Sequence, residues 1–412
     1  MARNSNASNI PQDWKYEYLD KISIRGSGHT PNKKENSYWN GNIKWVSLSD
    51  SSKLDQGLIF ETDKEISDEG IFNSSAVLHP AGTVILTRDA GVGKSAILAH
   101  PMAVSQHFMA WRCDSEKLNH WFLYYWLQLM KPEFERQAVG STIKTIGLPY
   151  FKKLKIATPP ITDQIRIAEL LSTWDRAISL SERALINSKY NKKGLEQQLL
   201  TGKRRMPGFK QSWKEVKLEE IFSRVTTKNN KTSKNVVTIS AQYGLIKQDE
   251  FFKKTIASET LDDYFLLTKG QFAYNKSYSS GYPMGAIKRL NRYEDGVVTT
   301  LYICFEAKNE NLCCPSFFEH YFEAGLLNSG LRKIANEGGR AHGLLNVKPD
   351  DFFGLAVRIP CVEEQKKIAQ ILSIAELEIE TFQQKLSCLK VERKALMHQL
   401  FTGKIRVKVE AA

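Results

Sequence analysis

The sequence predicts an α+β protein built as a tandem repeat. Two mixed α/β globular domains are separated by two long helices that pair as an antiparallel coiled coil, giving a pseudo-two-fold chain. Three observations carry this. A block of about fifty residues recurs at one constant offset: Phe151-Lys152-Lys153-Leu154 matches Phe352-Phe353-Gly354-Leu355, Gln164 matches Gln365, and Thr201-Gly202-Lys203 matches Thr402-Gly403-Lys404. In each copy the pattern changes at the same proline, Pro159 or Pro360, from short β-rich runs to an unbroken helical stretch. The helical stretches carry a sustained 3.5-residue apolar stripe, the signature of a coiled-coil seam.

Residues 1–157 form the first predicted domain, with β-rich runs such as Thr83-Val84-Ile85-Leu86-Thr87 punctuated by Gly and Asn. Residues 158–206 form the first helical region, with Ile167, Leu171, Trp174, Ile178, Ser181, Leu185, Ser188, Lys192, Leu195 and Leu199 on the stripe. Residues 207–357 form the second domain. It opens with Ser212-Trp213-Lys214, as the first opens with Asp13-Trp14-Lys15, and includes a β-rich run from Val297 to Phe305. Residues 358–412 form the second helical region, with Ile368, Leu372, Ala375, Ile379, Phe382, Leu386, Leu389, Arg393, Leu396 and Leu400 on its stripe. Thr162-Asp163 and Glu363-Glu364 place acids at the helix starts, and Gly202 and Gly403 supply the stops. At 1.5 Å per residue each helix is about 60 Å long. Neither buries its seam alone, so the economical solution pairs them with one globular domain at each end.

Composition narrows the function. Of 412 residues, 42% are hydrophobic and 25% charged, which excludes wholesale disorder. Fifty-eight basic against 45 acidic residues leave +13, and that excess points to a polyanionic partner. Six cysteines (Cys113, Cys304, Cys313, Cys314, Cys361, Cys388) without CxxC spacing fit neither a disulfide framework nor a zinc ribbon. The longest strongly apolar run, Trp121–Met130, is about half of a membrane span. The opening Met1-Ala2-Arg3-Asn4 has no apolar signal core. A soluble, cytoplasmic protein with no membrane association is expected.

Along essentially its whole length the sequence resembles the specificity (S) subunit of Type I restriction–modification systems. The motifs are Pro159-Pro160-Ile161-Thr162-Asp163-Gln164 opening the first helix and Gln198-Leu199-Leu200-Thr201-Gly202-Lys203 closing it. Their partners are Pro360-Cys361-Val362-Glu363-Glu364-Gln365 and Gln399-Leu400-Phe401-Thr402-Gly403-Lys404. The first domain is similar to the family's target recognition domains through Gly26-Ser27-Gly28-His29-Thr30-Pro31, Ile43-Lys44-Trp45-Val46 with Asp50, and Gly140-Ser141-Thr142. The second departs from it and, with Ile239-Ser240-Ala241-Gln242-Tyr243-Gly244 and Tyr274-Asn275-Lys276-Ser277-Tyr278, resembles another subtype. The resemblance implies a non-catalytic subunit that reads an asymmetric, bipartite target in double-stranded DNA. It implies two methyltransferase (M) subunits using S-adenosylmethionine, and restriction/motor (R) subunits using ATP and Mg2+. This chain itself would bind no cofactor and no metal.

Other chemistries fit less well. Ala90-Gly91-Val92-Gly93-Lys94-Ser95 suggests a phosphate loop, but Arg88 stands where the first glycine belongs and a strand follows instead of a helix. Asp295, Glu306 and Lys308 have the composition of a metal-dependent nuclease, yet the first copy has no matching acids in Phe108-Met109-Ala110-Trp111-Arg112-Cys113. Cys313-Cys314, His100 and His107 lack metal-ligand spacing and are read as structural. No Asn/Asp-Pro-Pro-aromatic methyltransferase motif is present. The alternatives to DNA specificity are therefore that nuclease, or a coiled-coil adaptor without sequence preference.

Base reading needs side chains with paired donors and acceptors on a scaffold anchored to phosphates. In the first domain the candidates are Arg25, His29, Lys33, Lys34, Asn40 and Arg88 in turn-like contexts, and the acid-free segment Ser141, Thr142, Lys144 and Thr145. In the second they are Lys228, Asn229, Asn230 and Lys231, then Asn275, Lys276, Tyr278, Ser279 and Tyr282, then Arg340, His342 and Asn346. A basic zone from Lys189 to Lys217 is either a phosphate-tracking surface or a set of cations at a helix end.

Overall fold

The computed structural model describes residues 11–251, 261–337 and 345–407. It divides into two compact units, one from the residues up to Ser181 plus those from Lys385 onward, the other from Glu182 to Gln384. Each long helix is therefore shared between units. This differs from the four segments read in the sequence, because the helix ends are core elements of the globular parts.

In the first unit a five-stranded sheet runs in the order Ser23–Ser27, Phe108–Cys113, Val84–Thr87, Ser95–Leu98, Leu58–Ile59. A four-stranded sheet joins Glu65–Ile66, Trp39–Val46, Met102–Val104 and Leu78–His79. Lys15–Tyr18 pairs antiparallel with Lys155–Thr158 and ties the start of the domain to its end. The helix His120–Gln137 holds the apolar run that begins at Trp121, and it buries Phe122, Leu123, Tyr124, Tyr125 and Leu127 in the core.

The second unit repeats that frame. Its four-stranded sheet runs Phe222–Val225, Ile303–Ala307, Phe272–Asn275, Ala286–Arg289. Lys214–Lys217 pairs with Ala356–Ile359 in the role of the terminal pair, and the helix Pro315–Glu323 covers the core. The run from Val297 to Phe305 is not one strand. It is split into Asp295–Val298 and Ile303–Ala307 by a turn at Thr299–Tyr302. Four consecutive β-formers hid that turn, which has no Gly or Pro to mark it.

The long helices span Ile161–Leu199 and Val362–Phe401. Every predicted stripe position on both is buried or half-buried. In the first unit Ile167, Ala168 and Leu171 share a core with Met397, Leu400 and Phe401. In the second, Ile368, Ala369 and Leu372 share a core with Leu199 and Leu200. The pairing within each unit is antiparallel: Asp175 meets Arg393 and Asp163 meets Arg406 in one, while Glu376 meets Lys192 and Glu364 meets Arg205 in the other.

The repeated glutamine has a structural reason. Gln164 accepts from the Asn119 N–H at 2.9 Å and donates to the Lys117 and Pro159 carbonyls, both at 2.9 Å. Gln365 does the same with Cys314 N–H at 2.9 Å and the Leu312 and Pro360 carbonyls, both at 3.0 Å. Each clamps the start of its long helix to the start of the shorter domain helix. The repeated glycines end the long helices in left-handed conformations, φ 72° at Gly202 and 69° at Gly403. A Cβ at Gly202 would come within 3.2 Å of Trp213, and one at Gly403 within 2.3 Å of Pro11. Among the described residues no helix is long and apolar enough to cross a membrane.

Candidate nucleic-acid interface

In the first unit the structure gathers several predicted residues into hollows. Lys33 and Asn40 line one of about 660 Å³ with Asn36, Trp39, Thr62, Asp63, Lys64 and Glu65. Asn40 sits at a bulge in Trp39–Val46 with φ 57°, a conformation asparagine tolerates better than most residues. The acids in this hollow are engaged by neighbours: Asp63 pairs with Lys53, and Glu65 with Lys44 at 2.7 Å. Hydrogen bonds donated to Glu61 and Glu65 push the Lys44 ammonium up to about 12, so it remains charged. Lys34 is exposed on the adjoining turn.

Ser141, Thr142 and Lys144 line a second hollow, of about 570 Å³, with Ala90, Gly91 and Val92. That places the apparent phosphate loop at the tip of a hairpin, since Val84–Thr87 pairs antiparallel with Ser95–Leu98. The Lys94 ammonium points back to Ser51, 2.9 Å from its carbonyl and 2.8 Å from its hydroxyl, and is not aimed at a phosphate. The segment is acid-free in sequence but not in space, because Glu135 lines the same hollow. Thr145 is drawn inward by a backbone bridge to Asp89, and Arg88 accepts the Ile146 N–H at its carbonyl. Arg25 is not in a turn. It lies in the strand Ser23–Ser27 and pairs with Asp20 at 3.1 Å, which reduces its availability. His29 is exposed just beyond that strand, its N–H on the Val104 carbonyl.

In the second unit Asn275, Tyr278, Ser279 and Tyr282 line a hollow of about 580 Å³ together with Ser240, Gln242 and Tyr243. None of the described side chains that line it is acidic. Tyr278 and Tyr243 are exposed by 63% and 69%, which leaves two ring faces open for stacking. Gln242 and Tyr243 were missed as site residues because they precede Asn275 by some thirty positions and only the fold brings them to it. Tyr282 is a partial exception within the group. Its hydroxyl bonds to Glu323, and Lys288 lies over its ring at 4.8 Å, so it is held by the domain helix. Burial, with Arg224 adding to it, lowers the Lys276 ammonium below the usual lysine value. The Lys276 carbonyl accepts the Leu345 N–H, which brings exposed Asn346 nearby. Arg340 and His342 lie outside the described residues.

Four predicted cations or amides are structural. Asn229 is 1% exposed, and its amide group is engaged with the Ser233 N–H and carbonyl at 2.9 Å each. It shapes the turn that displays Asn230 and Lys231, whose φ values are 44° and 65°. Lys228 folds over the Phe265 ring at 5.3 Å and donates to the Asp263 carbonyl. In the basic zone, Lys192 is bound between Glu376 and Glu196, and Arg205 holds buried Glu364 at 2.7 Å. Burial would raise the Glu364 carboxyl, but Arg205 and the Met206 N–H keep it below the usual value.

The two acids of the nuclease reading are held by different partners. Asp295 accepts from Ser233 on the strand paired with Phe265–Thr268, whereas Glu306 accepts from Gln271 at the end of Ile303–Ala307. Among the described residues no group of three or more His, Cys, Asp or Glu is placed to hold a metal. Cys313 and Cys314 are buried core residues, and burial pushes the Cys313 thiol up to about 12.

Known proteins agree with the resemblance read from the motifs. Residues 11–188 match the family model described as the Type I restriction modification DNA specificity domain. The Type I restriction enzyme MjaVIII specificity subunit of Methanocaldococcus jannaschii is 24% identical over 434 residues, covering 97% of this chain and 94% of that one. The MjaIX specificity subunit of the same organism is 25% identical over 177 residues; the match takes in 43% of this chain and spans 41% of that relative's length. The crystal structure of the Type I restriction–modification S subunit from M. genitalium shares the fold at TM-score 0.57 and 15% identity, covering 97% of this chain and 98% of that one.

Proposed function

We propose that this chain, which belongs to the specificity subunits of Type I restriction–modification systems, reads a bipartite, asymmetric DNA target with its two globular domains and brings methyltransferase and motor–nuclease subunits to it. One observation carries the reading. The two units share a frame down to the glutamine clamps and helix stops, while their polar hollows differ residue by residue. A frame repeated with different reading surfaces suits two unlike half-sites. An adaptor without DNA specificity has no use for the difference.

The recognition residues supported by this geometry are Lys33 and Asn40 with Ser141, Thr142 and Lys144 in the first domain, and Asn275, Tyr278 and Ser279 with Gln242 and Tyr243 in the second. The long helices would set the unread spacer between the half-sites. The partner subunits would supply the chemistry, S-adenosylmethionine on the methyltransferase side and ATP with Mg2+ on the motor–nuclease side, so catalysis is not assigned to this chain.

The test is sequencing of methylated bases after reconstitution with the methyltransferase subunits. Methylation should appear only when both components are present and at one split sequence. Exchanging residues 1–157 for another first domain should change one half of that sequence. A swap that altered both halves, or metal-dependent cleavage by this chain alone, would overturn the reading.

A further inference from the structure

In the first unit, the turn between the strands Met102–Val104 and Phe108–Cys113 carries Gln106 and His107. The turn is closed by the Phe108 N–H on the Ser105 carbonyl at 3.1 Å. Gln106 is exposed and His107 half-buried, and neither has the spacing of a metal ligand. Their side chains form a chain of hydrogen bonds across three segments. The Thr30 hydroxyl donates to Gln106 Oε1. Gln106 Nε2 lies 3.5 Å from His107 Nε2, and His107 Nδ1 lies 2.6 Å from the Asp89 carboxylate. The carboxylate can only accept, so Nδ1 carries the proton, and in the neutral ring Nε2 is left to receive from the Gln106 amide. Thr30 follows His29, Asp89 follows Arg88, and Asp89 bridges to Thr145. The turn thus sits where the first unit's separate candidate segments meet.

This arrangement fixes the Gln106 amide in one orientation and leaves it half-used. Its oxygen has one lone pair on Thr30 and one open, and its nitrogen has one N–H toward His107 and one open. An amide edge offering one donor beside one acceptor matches the N7 acceptor and N6 donor of adenine in the major groove. We propose that Gln106 is a base-reading residue for an adenine in the first half-site, with His107, Asp89 and Thr30 as positioning residues that set its amide edge. The proposal rests on the DNA-recognition reading and deepens it.

The repeat supports this assignment. In the second unit the matching turn joins Asp295–Val298 to Ile303–Ala307 and is closed the same way, by the Tyr302 N–H on the Thr299 carbonyl at 3.2 Å. It presents Thr300 and Leu301, the latter 61% exposed, in place of Gln and His. A turn kept for packing alone would have no reason to hold an exposed amide in a relay in one copy and an exposed leucine in the other.

The experiment reconstitutes methylation on a library in which the first half-site is randomised, using the full chain with methyltransferase subunits. For Gln106→Ala, discrimination for adenine at one position of the first half-site should fall roughly five- to hundredfold. The second half-site, read in the same reaction, should be unchanged and reports that the protein is folded. Gln106→Glu, which keeps the acceptor and loses the donor, should move the preference at that position toward cytosine, whose N4 amine donates. A purely structural turn would produce no such change of base. His107→Ala should weaken the same position less than Gln106→Ala. If Gln106→Ala and Gln106→Glu both leave the first half-site intact, the assignment of Gln106 is wrong while the recognition function stands. If wild-type protein directs no sequence-specific methylation, the recognition reading fails first.

Discussion

Replacing Gln365 by Met removes three hydrogen bonds while keeping nearly the same side-chain length. The site is 0% exposed, so water cannot take over the partners. The Cys314 N–H and the carbonyls of Leu312 and Pro360 lose the glutamine at 2.9, 3.0 and 3.0 Å. Each buried polar group left without a partner costs about 1–3 kcal/mol. Part of that is offset by the apolar thioether now packed among core residues, so a net loss of about 3–5 kcal/mol is expected. Against a domain stability of about 5–15 kcal/mol, that is a large fraction. Denaturant unfolding monitored by Trp213, the one tryptophan among residues 182–384, reports on the unit concerned. Amide exchange at Cys314 reports on the bond itself. Gln164→Met should produce the matching loss in the first unit, at the Asn119 amide. A change below about 1 kcal/mol with the Cys314 amide still protected would refute the view that these glutamines fasten each long helix to its domain.

Three more outcomes are expected. Burial, with the Lys192 ammonium adding to it, brings the His320 imidazole down to about 4 from 6.5, against opposing pulls from Glu376 and Glu323. The unfolded chain therefore binds the proton first, so stability of the second unit should fall as pH drops from about 6.5 to 4, and His320→Gln should flatten that slope in pH-dependent melting curves. Replacing Glu306 and Lys308 by alanine should leave DNA cleavage by the assembled complex intact and cost under about 1 kcal/mol, checked by a cleavage assay beside a melting curve; abolished cleavage with full DNA binding would restore the nuclease reading. Inserting four residues after Ser188 and four after Leu389 adds about 6 Å to each helix, so the preferred gap between half-sites should grow by about one or two base pairs in methylation mapping. A well-folded insertion mutant with the original gap would show that the helices are not the ruler.

Much of the frame was legible because it is written twice. The constant offset fixed which residues play equal roles, and the stripe from Ile167 to Leu199 needed only a period to be read, since every member is buried or half-buried. Why Gln164 and Gln365 recur was not legible, because two of the three partners of each lie some fifty positions upstream and are backbone groups. The candidate site was read less completely. Local composition located the segment 275–282 but not Gln242 and Tyr243, which only the fold brings to it. It also overcounted. Asn229 looks like its exposed neighbours in sequence, yet its side chain closes onto Ser233. Lys192 counted as surface charge although it occupies a seam position between two glutamates.

The placement of partly buried charge leaves the polar hollows and turns free to diverge. Where each domain's helix meets the long helices, the first unit has Tyr125 donating to Asp175, itself paired with Arg393. The second unit has Glu376 paired with Lys192, and His320 bonded to Ser373 one turn away. The acid and the base persist at matching positions, while the domain helix offers a tyrosine bonded to the acid in one unit and a histidine bonded to a neighbouring serine in the other. Breaking a partly buried pair by removing one partner is costly, so these positions tolerate little exchange. Turn residues such as Gln106 or Leu301 contribute little to either core and tolerate a great deal. On the proposed function, stability and specificity therefore reside in different residues of the same repeat. A change of target then requires new turn and hollow residues and leaves the clamps, helix stops and seam untouched.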